Sequence, residues 1–262
     1  MAPESPYQTD LALALAIADQ VDAVTMAGFR PTGVAYTAKE DNTPVTETDR
    51  GAEQLIRDIV KRERPEDAVV GEEFGTDGTS RRRWIIDPID GTANFVRGVE
   101  VWASLIALVD GDSVVVGVVS APALNSRWFA AQGAGAWKGV SQESARRISV
   151  SKVATLSDAF ISYSSMREWE SKGALDTILG LVRECGRERG FGDFLSYMLV
   201  AEGVVDIAPE PELALYDMAA LVPIVEEAGG RFTALDGTPG PFGGNAVATN
   251  SLLHDAVMEK LQ

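Results

Sequence analysis

Trp84-Ile85-Ile86-Asp87-Pro88-Ile89-Asp90-Gly91-Thr92-Ala93-Asn94-Phe95 decides more about this chain than any other stretch. Three large apolar residues arrive first, as in a buried strand. Pro88 removes an N–H donor and fixes a turn just after Asp87. Asp90 follows three positions later, so both carboxylates can converge on one point. Gly91 lets backbone approach a ligand closely. Thr92 offers a hydroxyl, and the N–H groups near Gly91 and Thr92 would face an anion if a helix starts there. Carboxylates and carbonyls at this density suit a hard cation, and Mg²⁺ keeps waters and adds substrate phosphate oxygens. As isolated residues, Asp87 and Asp90 would serve equally as turn formers or helix caps. The apolar run before them and the Gly-Thr after them favour the cation.

Two more acidic clusters sit where a strand ends or a helix begins. Gly71-Glu72-Glu73 follows the apolar run Ala68-Val69-Val70, and Asp217 opens a helical run at Tyr216-Asp217-Met218-Ala219-Ala220. Taken singly, Glu72 reads as an ordinary loop residue and Asp217 as a helix cap. Three such clusters in one chain can build a shared centre.

Around these clusters, periodicity gives the elements. Thr9 to Phe29 reads as an Ala-rich helix with Thr9 as N-cap. Residues 36–49 are polar and turn-rich, predicting a mobile hairpin or loop. Gly51 to Arg64 is amphipathic, with Ala52, Leu55, Ile56, Ile59 and Val60 on one face and Pro65 as the stop. Short strands are expected at 68–71, 84–86, 103–109, 114–119 and 127–131, with a hairpin turn at Asp110-Gly111-Asp112. Beyond Lys138 the pattern alternates. Strands are expected at 159–163, 204–208, 231–233 and 246–249, with helices at 169–184, 194–202, 217–228 and 251–261. This predicts an α+β half over residues 1–138 and an α/β half over 139–262, joined as one compact catalytic unit.

Composition narrows the chemistry. The chain has 262 residues and a formal net charge of −16, from 39 acidic and 23 basic residues. Nucleic acid is a poor partner for that surface. An anionic substrate would be repelled as well, unless a bound divalent cation inverts the local sign. The single cysteine, Cys185, excludes an intrachain disulfide and a thiolate zinc site, and reads as packing. The single histidine, His254, leaves acid–base work to carboxylates, hydroxyls or a metal-activated water. The first basic residue is Arg30, and the apolar run 11–18 is too short to span a bilayer, so a cytoplasmic protein with no membrane partner is expected. Gly133 to Gly139 mimics a nucleotide loop but lacks the Gly-Lys-Ser/Thr of a P-loop, and reads as a plain turn. Trp128, Phe129 and Trp137 read as core or interface.

With these residues on the page, the sequence resembles the inositol monophosphatase-like family of metal-dependent phosphatases. Residues 84–95 match its central signature, Glu72-Glu73 its first acidic motif, and 216–220 with Glu227-Ala228-Gly229-Gly230 its C-terminal motif. Tyr216 stands where Trp is usual. Lys39-Glu40-Asp41, then Pro44-Val45-Thr46 and Asp49, resemble its mobile metal loop. The resemblance implies a layered α/β/α/β/α sandwich, two or three Mg²⁺ ions per site, a homodimer and hydrolysis of a small phosphate monoester. It implies Glu72, Asp87, Asp90, Asp217 and the Ile89 carbonyl as metal ligands. It places Asp49, Thr92 and Glu72 at the attacking water, and Asp90, Gly91, Thr92 and Asn94 toward the substrate. Metal ions bridging phosphate oxygens stabilise an in-line displacement, so no phosphoenzyme is required.

The alcohol released is written elsewhere in the chain. Arg189-Gly190-Phe191-Gly192-Asp193-Phe194 aligns with the family's substrate loop, with Asp193 where small or hydroxyl residues are usual. Glu210 matches another substrate-contacting position. Added carboxylates suit a substrate with a cationic amine better than a neutral polyol, although Asp193 would also serve as a cap for the helix at Phe194. Arg97-Gly98, residues 189–193 and residues 201–208 resemble the branch of the family that hydrolyses L-histidinol phosphate. That resemblance puts Arg189, Gly192, Asp193 and Glu210 in the substrate site. A broad inositol-1-phosphate phosphatase is the first competitor, and a non-catalytic metal-binding protein of the same fold is the second. Bisphosphate phosphatases fit less well, since no extra basic cluster awaits a second phosphate.

Overall fold

The structure, a computed structural model, describes residues 5–38 and 44–261. The first helix, α1 (Gln8–Gly28), is followed by a two-stranded hairpin of β1 (Thr37–Ala38) and β2 (Pro44–Val45) and by α2 (Glu47–Glu63). The expected loop of 36–49 is thus partly paired. Lys39, Glu40 and Asp41 lie outside the described residues.

A large sheet comes next, built from β3 (Ala68–Gly71), β4 (Gly75–Asp77), β5 (Arg82–Asp90), β6 (Ala103–Asp110), β7 (Ser113–Ala121), β8 (Ser126–Ala131), β9 (Ala136–Lys138) and β10 (Arg146–Arg147). Its spatial order is β10-β9-β8-β7-β6-β5-β3-β4. Only β3 and β5 run parallel; every other pairing is antiparallel. The sheet extends past residue 138 through β10. The short helix α3 (Thr92–Arg97) leaves β5 directly.

A smaller sheet of β11 (Phe160–Ser162), β12 (Arg187–Arg189), β13 (Ile207–Glu210), β14 (Arg231–Thr233) and β15 (Ala246–Thr249) has the order β12-β11-β13-β15-β14. The remaining helices are α4 (Met166–Ser171), α5 (Leu175–Glu184), α6 (Asp193–Ala201), α7 (Leu215–Met218), α8 (Leu221–Glu227) and α9 (His254–Leu261).

Side-chain alternation explains the layering. Trp84 and Ile86 point to one face of β5 and pack with α1 and α2 through Leu15, Ile17, Ile56 and Val60. Ile85 points to the other face and joins α6 and α8 through Phe194, Met198, Leu221 and Ile224. The opposite face of the α6–α8 layer rests on the small sheet at Ala208, Phe232, Ala246 and Ala248. The outer face of that sheet carries Ile161, Ile207 and Val247 against Ile178 and Leu181 of α5 and Val257 of α9. The result is the expected α/β/α/β/α sandwich. Because both faces are covered, the central strands read as unbroken apolar runs rather than alternating ones. The apolar length of α1 would suffice to cross a bilayer, but Leu11, Ala14, Ile17, Ala18 and Val21 are buried inside the fold.

Several boundaries differ from expectation for identifiable reasons. α1 starts at Gln8, and Tyr7 rather than Thr9 stands at its N-cap, its carbonyl accepting from the Asp10 and Leu11 amides. α2 starts four residues early because Thr46 and Asp49 form a reciprocal capping box. The helix expected over 169–184 breaks at Gly173, which adopts φ +70°. The one expected over 217–228 begins earlier, at Leu215, and is interrupted before α8, where Pro223 has no N–H to return. The strand expected at 204–208 begins only at Ile207, since Val204 and Val205 still donate to Leu199 at the end of α6.

His254 is buried against the small sheet, far from any acid–base task. Thr233 donates to the Ala234 carbonyl and stands 3.1 Å from His254 Nε2; Thr249 Oγ1 is 3.1 Å from Nδ1. The network suits a neutral ring that donates from Nε2 and accepts at Nδ1. Burial lowers its pKa from 6.5 to about 4. The unfolded chain therefore binds the proton first as pH falls, and stability is lost below pH 6.5. At pH 5 the cost is about 2 kcal/mol. A His254→Gln variant should lose about that much less stability than the parent between pH 7 and pH 5 in paired denaturant titrations. Equal losses would remove His254 as the source.

Candidate active site

The expected residues converge at one end of the two parallel strands. β3 delivers Glu72 just past its last residue. β5 delivers Asp87 and Asp90, and the register shift between them, a bulge against β6, turns both toward the same side. The strand does not end at Ile86 as expected but continues through Pro88, whose carbonyl accepts the Ser104 hydroxyl at 2.7 Å. Gly91 follows with φ +81°, and a Cβ there would lie 3.0 Å from the Val101 carbonyl, so glycine is required. α7 brings in Asp217. Carboxylate oxygens of Asp87, Asp90 and Asp217 lie within 4.8 Å of one another.

Each of these carboxylates is held from behind. Asp87 Oδ1 accepts the Ile89 amide at 2.9 Å, and Asp217 Oδ2 accepts the Ala214 amide at 2.7 Å. Asp90 Oδ2 accepts the Phe194 amide at 2.9 Å, capping the first turn of α6 from another segment. Asp193 is therefore not the cap of α6. It adopts φ +46°, and its Oδ2 accepts Asn94 Nδ2 at 2.9 Å instead. Asn94 also donates to the Val101 carbonyl and does not line the cavity.

Thr92 Oγ1 donates to the Ile89 carbonyl at 2.8 Å and stands 3.4 Å from Asp49 Oδ1. The other Asp49 oxygen accepts the Thr46 amide at 2.8 Å and its hydroxyl at 2.5 Å. Burial raises the Asp49 carboxyl above its ordinary value, against those two hydrogen bonds. Thr92 borders a cavity of about 360 Å³, lined also by Glu72, Asp87, Ile89, Asp90, Gly91, Asp193, Glu210 and Asp217, while Asp49 is fully buried and does not line it. That size suits a small ligand.

Among the described residues, no lysine or arginine lines this cavity. Burial pushes the Asp87 carboxyl well above the usual range, and Glu72, Asp90 and Asp217 push it further. Asp90 is raised by burial, then by Asp193 and Asp217. Three converging carboxylates, Glu72 and a backbone carbonyl with no basic side chain among them form an oxygen donor set for a hard divalent cation. The donor set fits.

Arg189 is another expected residue that does not line the cavity. It lies on the edge strand β12, exposed, and donates to the Glu188 carbonyl at 2.7 Å, outside the cavity. All three residues of this short edge strand are exposed. Gly192, with φ +77°, shapes the turn into α6 but does not line the cavity.

The profile of the inositol monophosphatase family matches residues 7–262. This chain belongs to the inositol monophosphatase family. A histidinol-phosphatase of Streptomyces coelicolor is 56% identical over 256 residues, covering 96% of each chain. A histidinol-phosphatase of Mycobacterium tuberculosis is 53% identical, covering 96% of this chain and 97% of the other. The solved inositol monophosphatase of Zymomonas mobilis superposes with a TM-score of 0.87 at 31% identity, covering 98% of this chain and 99% of that one.

Within this member of the inositol monophosphatase family, one supporting residue escaped the sequence reading. Glu53 of α2 is fully buried and accepts the amides of Glu73 at 2.7 Å and Phe74 at 3.1 Å. Arg57 pairs with it at 2.7 Å. A Cβ on Gly71 would collide with this carboxylate. Glu53 thus fixes the turn that presents Glu72. Its signal was present, a charge on the buried face of α2 between Ala52 and Ile56.

Two outcomes follow. Free Mg²⁺ at a hundred times its Kd should stabilise the fold by about 2.7 kcal/mol, a rise of several degrees in Tm. Asp87→Asn should lose that rise while keeping or gaining Tm in chelator; an undiminished Mg²⁺ shift in the variant would remove Asp87 from the donor set. Glu53→Gln weakens the acceptor for two backbone amides, at a cost of about 1–3 kcal/mol. It should also lower phosphatase activity about tenfold or more through Glu72; full activity would sink that role.

Proposed function

We propose that this chain hydrolyses L-histidinol phosphate to L-histidinol and inorganic phosphate, as a Mg²⁺-dependent phosphatase of histidine biosynthesis working in the cytoplasm as a homodimer. The observation that carries the reading is the full-length similarity, above half identity, to two histidinol-phosphatases. The cavity supports it on independent grounds. Asp193 and Glu210 put carboxylates beside the phosphate end, where a neutral polyol would gain little from them and a cationic amine would gain a counter-ion.

Glu72, Asp87, Asp90, Asp217 and the Ile89 carbonyl would hold two or three Mg²⁺ ions. When bound, these ions supply positive charge to the phosphate oxygens and make water a better nucleophile. The chain's own groups do the rest. Thr92 holds the attacking water with its hydroxyl oxygen. Its hydroxyl, which now donates to the Ile89 carbonyl, can turn to donate to Asp49 Oδ1 and leave that carbonyl free to act as a ligand. Asp49, buried and with its carboxyl raised, is suited to take a proton from this relay. Glu72 shares in accepting it. Gly91 and Thr92 offer backbone amides to the phosphate, and the close approach depends on the missing Cβ of Gly91. The water oxygen bonds to phosphorus as the ester oxygen leaves, and the released alkoxide takes a proton from solvent.

Asp193 and Glu210 receive the substrate's charged nitrogen in this reading, and Arg189, on the exposed edge strand, would order the loop from outside. Phosphate release with Mg²⁺ tests the whole. The kcat/KM for L-histidinol phosphate should exceed that for inositol 1-phosphate by about 100-fold or more, and Asp193→Ala should shrink that ratio. Equal or better turnover of the inositol ester overturns the reading.

A further inference from the structure

The cavity has a second end that the phosphate chemistry does not use. Beyond Asp90 and Asp217, its wall is made by Ser164, Glu168, Asp193, Tyr197, Glu210 and Glu212. Four of these are carboxylates, and their partners differ. Asp193 has Asn94. Glu212 is mostly exposed and pairs with Lys172 at 2.8 Å. Glu210 is 4% exposed, and its Oε1 is buried with no hydrogen-bond partner. Tyr197, 1% exposed, keeps its buried hydroxyl against the Glu210 carboxylate without completing a full hydrogen bond. Among the described residues, the Glu168 carboxylate has no hydrogen-bond or ion-pair partner; the contacts of this residue run through its backbone to Ser165 and Ser171.

A buried polar atom short of partners is destabilising, so a site that keeps Glu210 Oε1 in that state beside a cavity suits a ligand that supplies a donor. The two free carboxylates stand at different depths. Glu210 ends β13, 4% exposed and beside Tyr197, and feels Asp193 and Glu168 first and Asp217 more weakly. Glu168 sits on α4, half-buried, and feels Asp193 and Glu212 but not the phosphate-end carboxylates. A ligand that satisfies both carries two nitrogen donors, one close to the ester carbon and one farther out.

We infer that Glu168 is a specificity-determining residue that binds the outer N–H donor of the leaving alcohol, a nitrogen heterocycle, while Glu210 with Tyr197 binds the inner ammonium. This rests on the proposed function and deepens it by dividing the recognition between two carboxylates. In histidinol phosphate the ammonium carbon is adjacent to the ester carbon and the imidazole lies one methylene beyond, which matches that order. α4 is short and is held by its Ser165 cap rather than by Glu168, so an isosteric change leaves the helix its support.

The test uses the Mg²⁺-loaded protein and three probes: L-histidinol phosphate, O-phosphoethanolamine, which has the ammonium but no ring, and L-histidinol as inhibitor of p-nitrophenyl phosphate hydrolysis. Glu168→Gln should reduce the ratio of kcat/KM for histidinol phosphate over phosphoethanolamine at least tenfold, chiefly through KM. Glu168→Asp should recover part of that loss. Glu210→Gln should weaken both amine esters together. L-Histidinol should inhibit the parent at least tenfold more tightly than Glu168→Gln. A ratio unmoved by Glu168→Gln, or the same loss on both esters, overturns the inference while leaving the proposed function standing. Preference for inositol 1-phosphate in the parent overturns the proposed function, and with it the assignment of Glu168 to a heterocyclic leaving alcohol.

Discussion

Like charges brought together out of water govern this structure. Asp87, Asp90 and Asp217 converge within 4.8 Å, with Glu72 beside them and, among the described residues, no basic side chain on the same lining. Nothing about hydrophobic packing favours that arrangement. It persists because each carboxylate is fixed by backbone amides on rigid elements: Ile89 for Asp87, Phe194 for Asp90, Ala214 for Asp217. The double-faced apolar sheet holds those elements in place, and Glu53 does the same for the turn at Glu72. Much of the sandwich can be understood as a frame stiff enough to hold a repulsive cluster open for a cation.

The same logic explains what the residues made legible. Residues 84–95 announce a buried strand, a turn and a close backbone approach because each of those needs a particular residue type in a particular place. Gly91 is one such case, its φ of +81° and the Val101 carbonyl both excluding a side chain. The layered fold followed from apolar runs that covered faces leave behind. Other features depend on partners distant in sequence. Asp90 capping α6 joins positions 104 residues apart, and no local pattern contains it. The Asn94–Asp193 pair spans 99 residues. Arg189 is close in sequence to Asp193 but ends a short edge strand whose three residues are all exposed, while Asp193 lies beyond the turn on α6. The early start of α2 was written in Thr46 and Asp49, a capping box hidden inside what looked like a loop.

Charge is distributed along the cavity as well as concentrated in it. The phosphate end is negative until cations fill it; the far end is negative because of Asp193, Glu210, Glu168 and Glu212. A molecule that is anionic at one end and cationic at the other suits both, with opposite signs of interaction at the two ends. The net charge of −16 then has a local meaning beyond solubility: it does not oppose a zwitterionic ester as it would a plain phosphate.

The hydrogen bond from the Phe194 amide to Asp90 also limits how such an enzyme can change over evolutionary time. It ties a residue of the reaction centre to the helix that begins with Asp193. A substitution that moved the start of α6 to suit another alcohol would disturb Asp90 as well, so new substrates are hard to reach by that route. α4 has no such tie. Changes there can retune which alcohol is accepted while the hydrolytic apparatus stays intact, which makes that short helix the cheaper path by which one ancestral phosphatase could diverge into several.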